Sequence, residues 1–356
     1  MEKSYSLLRL LICYSVCAFF VVYATFGALT IKHEKKPPFT DIFSENTQIP
    51  QEESKKEENF SQTSAISSQD ASNEEKTESK AESKTESIQT STEAVKGKII
   101  TRYISPYNSS ASYDKVYLKN STGVKIDIKS LLNKNLSFKI KQNNEPQVLI
   151  VHTHTTESFM QEDKDYYTED FKARTTDSDK NMAKIGSIIA QKLNQNGIKT
   201  LHDKTKHDYP EYTGSYGRAA KTINSYLKKY PSIKIVLDLH RDSVSAEGGK
   251  AKLVTKINGK NAAQVMLVMG SETGGITGFP HWKENLSLAF KLQQTIEKQY
   301  PTLARPLMLA SKKYNQSLTK GSLLLEFGTE VNTLEEACYS AELVGNSLVS
   351  LLKTLK

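Results

Sequence analysis

Three short runs of the chain, VLIVHTH (Val148–His154), KIVLDLH (Lys234–His240) and SLLLEFG (Ser322–Gly328), constrain its fold most tightly. Each groups apolar residues with little or no alternation, the pattern of a strand covered on both faces. Three further runs read the same way: Ile198–His202, Gln264–Gly270 and Arg305–Ala310. With Gln147–His154, Ile233–His240 and Ser322–Phe327 they make six candidate strands. Helical periodicity fills the intervals. Met182, Ile185, Ile188, Ile189 and Leu193 share one face, and Gly197 supplies a stop. Asn285–Tyr300 and Thr333–Leu352 read as helices too. Asn258-Gly259, between Ala251–Ile257 and Gln264–Gly270, predicts an antiparallel hairpin. The expected class is α/β, a mostly parallel or mixed central sheet with flanking helices.

In a parallel sheet the strand C-termini share one edge, and ligands bind there. His152 and His154, His240, and Glu326 end three of these runs. Imidazoles and carboxylates meeting in a cleft make a hydrolytic zinc (Zn2+) site with a position open to water. His152 and His154, two apart, are expected on one strand face, and His154-x-x-Glu157 can wrap a metal from a turn. His240 is the distant third ligand, with Asp238 and Asp242 placed to orient it. Glu326 is then the general base, and Arg241 or Arg174 the group facing the oxyanion. His202, His207 and His281 are weaker ligand candidates. Tyr209, Tyr212, Tyr216 and Trp282 are candidate sugar or peptide contacts, with packing as the plainer role.

The rest of the chain looks different. Leu10–Ile31 carries no charge for 22 residues, enough to cross a bilayer core of about 30 Å as a helix. A retained anchor is the reading over a cleaved signal peptide, whose apolar region is shorter. Residues 34–98 hold Phe60 as the only aromatic residue after Phe43 and the near-repeat KTES-KAES-KTES, so they read as a disordered acidic tether. Between Gln51 and Lys96 ten Glu and one Asp face six Lys, a net −5, which leaves +13 of the overall +8 on the remainder. The layout is 1–33 cytoplasmic N-terminus and transmembrane anchor, 34–98 linker, and 99–356 an extracytoplasmic domain with an accessory segment at 99–145 and a core at 146–356. Three cysteines cannot build a disulfide framework, and no basic stripe interleaved with aromatics suggests nucleic acid.

HTHTTESF, NGIKTLHDKTKHDYPEYTGSYGRA, DLHRDS, PHWKENL, YNQSL and LLLEFGTEVNTLEEA, in that order from Val148 to Leu352, resemble the stage II sporulation protein P family. The resemblance implies a domain like the cell-wall zinc amidases. It also implies a zinc-dependent N-acetylmuramoyl-L-alanine amidase, with endopeptidase activity, thinning septal peptidoglycan during engulfment. Partners implied are the peptidoglycan substrate and stage II sporulation proteins D and M, at the sporulation septum of the cell membrane. One departure stands out. The wider amidases take their carboxylate ligand some 14 residues or more past the first histidine, where Glu169 or Asp177 lies, whereas Glu157 is much closer. The third ligand is therefore Glu157, Glu169 or Asp177, or the His152/His154 pair. Two rival readings are a zinc carboxypeptidase on wall peptides and a noncatalytic wall-binding scaffold.

Overall fold

The computed structural model describes residues 94–356. The candidate span Leu10–Ile31 and the tether up to residue 93 lie outside the described residues, among which no helix is long and apolar enough to cross a membrane. Strand β1 spans Val95–Arg102 and so takes in residues up to 98 that the sequence reading gives to the linker.

Twelve more strands follow: β2 (Ala111–Tyr113), β3 (Val116–Asn120), β4 (Val148–Val151), β5 (Tyr166–Thr168), β6 (Thr200–His202), β7 (Ile235–Asp242), β8 (Ser245–Ala246), β9 (Gly249–Ile257), β10 (Lys260–Ala263), β11 (Val265–Gly270), β12 (Leu307–Ala310) and β13 (Ser322–Thr329). The helices are α1 (Ile128–Asn133), α2 (Met182–Gln195), α3 (Ser215–Lys229), α4 (Trp282–Gln299) and α5 (Leu334–Thr354). Eight strands form the main sheet in the order β2-β3-β12-β11-β13-β7-β4-β6. Its pairs are parallel except β2 with β3 and β11 with β13. The expected mixed sheet with flanking helices is therefore present.

Side-chain alternation divides the main sheet cleanly. Val148 and Ile150, Leu237 and Leu239, Leu323 and Leu325, and Val265 and Leu267 point to one face and join the large core built with α2, α4 and α5. On the opposite face Leu149, Val151 and Val236 meet Ile223 of α3, while Met266, Val268 and Leu324 pack with Met308 and Tyr314. Each fully buried Leu or Ile contributes roughly 1.5–3 kcal/mol. Helix starts are chemically marked: Asn181 caps α2 by accepting from the Ala183 amide, and Thr333 with Glu336 forms a capping box on α5.

A second sheet, β10-β9-β1-β5 with β8 on β9, was not visible in the sequence. The predicted turn at Asn258-Gly259 is real, with φ of 49° and 79°. However, the returning strand is Lys260–Ala263, and the hairpin belongs to this second sheet. After Gln264 the chain passes directly into β11 of the main sheet, and the Gln264 side chain ties the crossing point to both backbone groups of Ile104. The 99–145 segment is likewise woven in, β1 pairing with β9 and β3 with β12.

Candidate active site

β4 ends at Val151, and the turn that follows separates the two histidines expected to lie together. His152 keeps the strand's alternation and points to the large-core face, where Nδ1 donates to the Leu239 carbonyl at 3.0 Å and Nε2 lies 2.8 Å from Nε2 of His202. Burial, chiefly, holds both rings neutral, His152 down to about 4 and His202 down to about 3. His154, beyond the strand, swings to the opposite face. A period-2 argument fails here because the strand stops one residue before it is needed. Two buried carboxylates pin the turn. Asp238 accepts from the Thr153 amide and hydroxyl at 2.8 and 2.6 Å, and Asp208 accepts from the Thr156 amide and hydroxyl at 3.1 and 2.6 Å.

His154, Glu157 and His240 come together at the C-terminal edge of β4 and β7. The imidazoles of His154 and His240 meet edge to face, 5.2 Å between centroids, and Nδ1 of His240 stands 3.6 Å from Oε2 of Glu157. His154 stacks on Tyr212 at 4.7 Å, and its nitrogens have only long hydroxyl partners, Tyr212 at 3.3 Å and Ser215 at 3.4 Å. On the far side of His240, Nε2 faces Oδ1 of Asp238 at 2.9 Å, outside hydrogen-bond alignment. Burial disfavours charge on His240, yet Asp238 first, then Glu157 and Glu326, outweigh it and lift the ring to about 10. Asp238 answers in kind. Burial raises it, but His240 and the Thr153 donors bring it down to about 2.

Glu326 is the register neighbour of His240 on β13. Its Oε2 is buried without a hydrogen-bond partner among the described residues. Burial pushes this carboxyl up to about 8, against the pull of His240 and with repulsion from Asp242 and Glu157. Beside it, the buried Arg305 pairs with Asp242 at 2.9 Å.

The two arginines, each a candidate to face the oxyanion, are placed differently. Arg241 is buried with its guanidinium on the carbonyls of Ser158, Ala173 and Asp242, while its amide donates to Glu157. It holds the loop that carries Glu157, and its guanidinium makes no hydrogen bond to a cluster side chain. Arg174 is the one at the mouth, 2.6 Å from Asp208, 3.4 Å from Glu157 and over the Tyr212 ring. Of the alternative ligands, Glu169 pairs with exposed Lys96 and Asp177 with exposed Lys180, so Glu157 is the carboxylate that reaches the histidines. His207 bridges the His152 carbonyl and Thr222, His281 sits at the start of α4, and Trp282 is in the core. Tyr216 contacts His154, while Tyr209 is exposed. Asp208 was missed as a functional residue, and only its place between His207 and Tyr209 in the KHDY segment could have flagged it.

Among the described residues no three His, Cys, Asp or Glu side chains converge on one point at ion-binding distance. The donor set nonetheless fits zinc. Two ligands at about 2.1 Å from a tetrahedral ion stand about 3.4 Å apart, near the 3.6 Å between His240 and Glu157. The nitrogens of His154 are weakly satisfied, and Asp238 backs His240 as carboxylates back metal-binding histidines.

Fold and cluster together define a mixed α/β protein with a two-imidazole, carboxylate-rich centre at a sheet edge. The chain belongs to the stage II sporulation protein P family, whose family model matches residues 23–348. The stage II sporulation protein P of Bacillus subtilis (strain 168) is 30% identical over 200 residues, which cover 53% of this chain and 47% of that relative. The match thus spans about half the relative's length. Solved structures it resembles include the CwlD amidase of Clostridioides difficile in complex with the GerS lipoprotein, at 9% identity, 59% of this chain, 98% of that chain and TM-score 0.38. Another is the catalytic domain of CwlV, an N-acetylmuramoyl-L-alanine amidase from Bacillus (Paenibacillus) polymyxa var. colistinus, at 12%, 59%, 99% and 0.36.

Proposed function

We propose that this chain is a zinc-dependent peptidoglycan hydrolase, an N-acetylmuramoyl-L-alanine amidase, also able to cut cross-links as an endopeptidase. The observation that carries the reading is the proximity of His154 and Glu157 to His240, beside a buried Glu326 oxygen with no hydrogen-bond partner among the described residues. Those first three residues would hold zinc, which would supply Lewis acidity toward a scissile carbonyl. His152, also a candidate ligand in the sequence, has both ring nitrogens engaged and serves the turn instead. Glu326 takes a proton from the attacking water and returns it to the leaving amine. A carboxyl held near neutral pH suits both transfers. Arg174 and Tyr212 present donors at the mouth, where charge develops on the carbonyl oxygen.

The uncharged run Leu10–Ile31 and the acidic tether support a membrane-anchored enzyme acting outside the membrane, at the sporulation septum during engulfment. Membership of the family supports stage II sporulation proteins D and M as partners. Peptidoglycan sacculi incubated with the purified chain separate the readings. An amidase releases stem peptides with a new L-alanine amino group, a carboxypeptidase releases single terminal amino acids, and a scaffold binds and releases neither. Full hydrolysis after exhaustive chelation would overturn the zinc reading.

A further inference from the structure

Exposed aromatic side chains gather in two places among the described residues. Tyr212 stacks on His154 with the exposed Tyr209 three residues before it in the chain, and Tyr103, Tyr107 and Tyr113 lie in the segment between β1 and β3. Strand register connects the two. His240 on β7 neighbours Glu326 on β13, which neighbours Met266 on β11. One row further along, Val268 neighbours Met308 on β12 and Met308 neighbours Lys119 on β3. Tyr117, two residues before Lys119, therefore continues the row of His240, Glu326 and Met266 on the same sheet face. Four strand spacings separate Tyr117 from His240, about 19 Å at about 4.8 Å each.

The tyrosine end of this row is a braced surface. Tyr107, 75% exposed, stands edge-on against Tyr117 with centroids 5.4 Å apart. Tyr117 has its amide and carbonyl held by the Gln293 side chain at 2.9 and 3.1 Å. Tyr103, 48% exposed, is fixed through Ile104, whose amide and carbonyl bond Gln264 at 2.7 and 3.0 Å. Between the two aromatic ends the sheet carries the buried Met266, with Met308 and Tyr314 packed against it.

We infer that Tyr103, Tyr107 and Tyr117 form a distal subsite that holds the glycan strand of the polymer whose peptide branch enters the His154–Glu326 centre. Sugar rings offer apolar C–H faces to aromatic faces and hydroxyls to phenols, and tyrosine presents both. The exposed large apolar residues of this patch are tyrosines, without the aliphatic anchors of a protein interface. Its place on the row of the catalytic centre gives a linear polymer aromatic contacts at both ends. The inference rests on the peptidoglycan reading above.

The test uses the full chain carrying Tyr103→Ala and Tyr107→Ala, both exposed and remote from the centre. Binding to sacculi is measured in a Glu326→Gln background, where cutting is slowed at least about 100-fold. Affinity is expected to fall about 10-fold, since each aromatic contact contributes a few-fold. In the active background KM for sacculi rises by a similar factor with kcat unchanged. Turnover of a short muramoyl-peptide that reaches only the centre stays at the wild-type rate, and Tyr107→Trp restores sacculus binding. Wild-type sacculus affinity in the double variant overturns the subsite, as does an equal loss on the short fragment. Loss of a co-purifying protein with sacculus binding intact makes the patch a protein interface and also overturns it. Sacculus binding that depends on these tyrosines in a wild-type chain that cuts nothing sinks the hydrolase reading and leaves the subsite standing.

Discussion

Glu326 combines three properties that a buried carboxyl rarely holds together: an oxygen without a hydrogen-bond partner among the described residues, a position beside an imidazole, and a proton held near neutral pH. Glu326→Gln keeps the shape and removes the base, so kcat should fall about 100- to 10,000-fold while the melting temperature holds. The two arginines are expected to part company. Arg241→Ala strips donors from three backbone carbonyls and should cost about 2–4 kcal/mol in denaturant unfolding. Arg174→Ala should leave stability within about 1 kcal/mol and reduce turnover. His154, His240 and Glu326 were legible because apolar runs deliver them to one edge. The place of Arg241 was not, because its guanidinium's partners include the Ser158 and Ala173 carbonyls of a loop whose path no periodicity encodes.

The buried pair His152–His202 makes stability depend on pH. Both rings titrate lower in the native chain than the ordinary 6.5, so below that pH the unfolded chain binds protons that the native chain refuses. Stability is therefore unaffected by this pair above about 6.5. It is lost as pH falls toward 4, by up to about 1.4 kcal/mol per pH unit for each proton. Urea unfolding of the wild type and His202→Gln from pH 7 to 4.5 should give a shallower acid slope for the variant. Parallel slopes would remove His202 from the account.

At the level of elements, the six apolar strands were legible because burial on both faces suppresses alternation. The second sheet was hidden, since β1 and β9 are mixed in character and lie about 150 residues apart, so only their pairing gives them meaning. Helix α3 was hidden for another reason: its buried residues are only Ser215, Ala219 and Ile223, a stripe too thin to register. Where α2 crosses the His152–His202 pair, Gly186 leaves no room. A Cβ there would come within 2.7 Å of His152 Nε2. Gly186→Ala should lower stability by about 1–3 kcal/mol despite alanine's better helix propensity. Thr333→Ala, which opens the capping box of α5, should cost about 1 kcal/mol, readable as a lower urea midpoint at unchanged slope.

Taken as a whole molecule, the domain couples its proposed metal to its fold, because His154 comes from the β4 turn, Glu157 from the loop held by Arg241, and His240 from β7. Zinc bound to that set should raise the melting temperature, and a chelator should lower it, in step with hydrolysis lost and regained.

The strand bearing Glu326 is also the last strand of the chain, yet it occupies the middle of the main sheet, between β11 and β7. During synthesis the ribosome therefore delivers the two halves of that sheet, β2-β3-β12-β11 and β7-β4-β6, before the strand that zips them together. Until then each half shows a raw edge, and Glu326 has not been made. A nascent chain of this kind completes its proposed centre only once this central strand has been added.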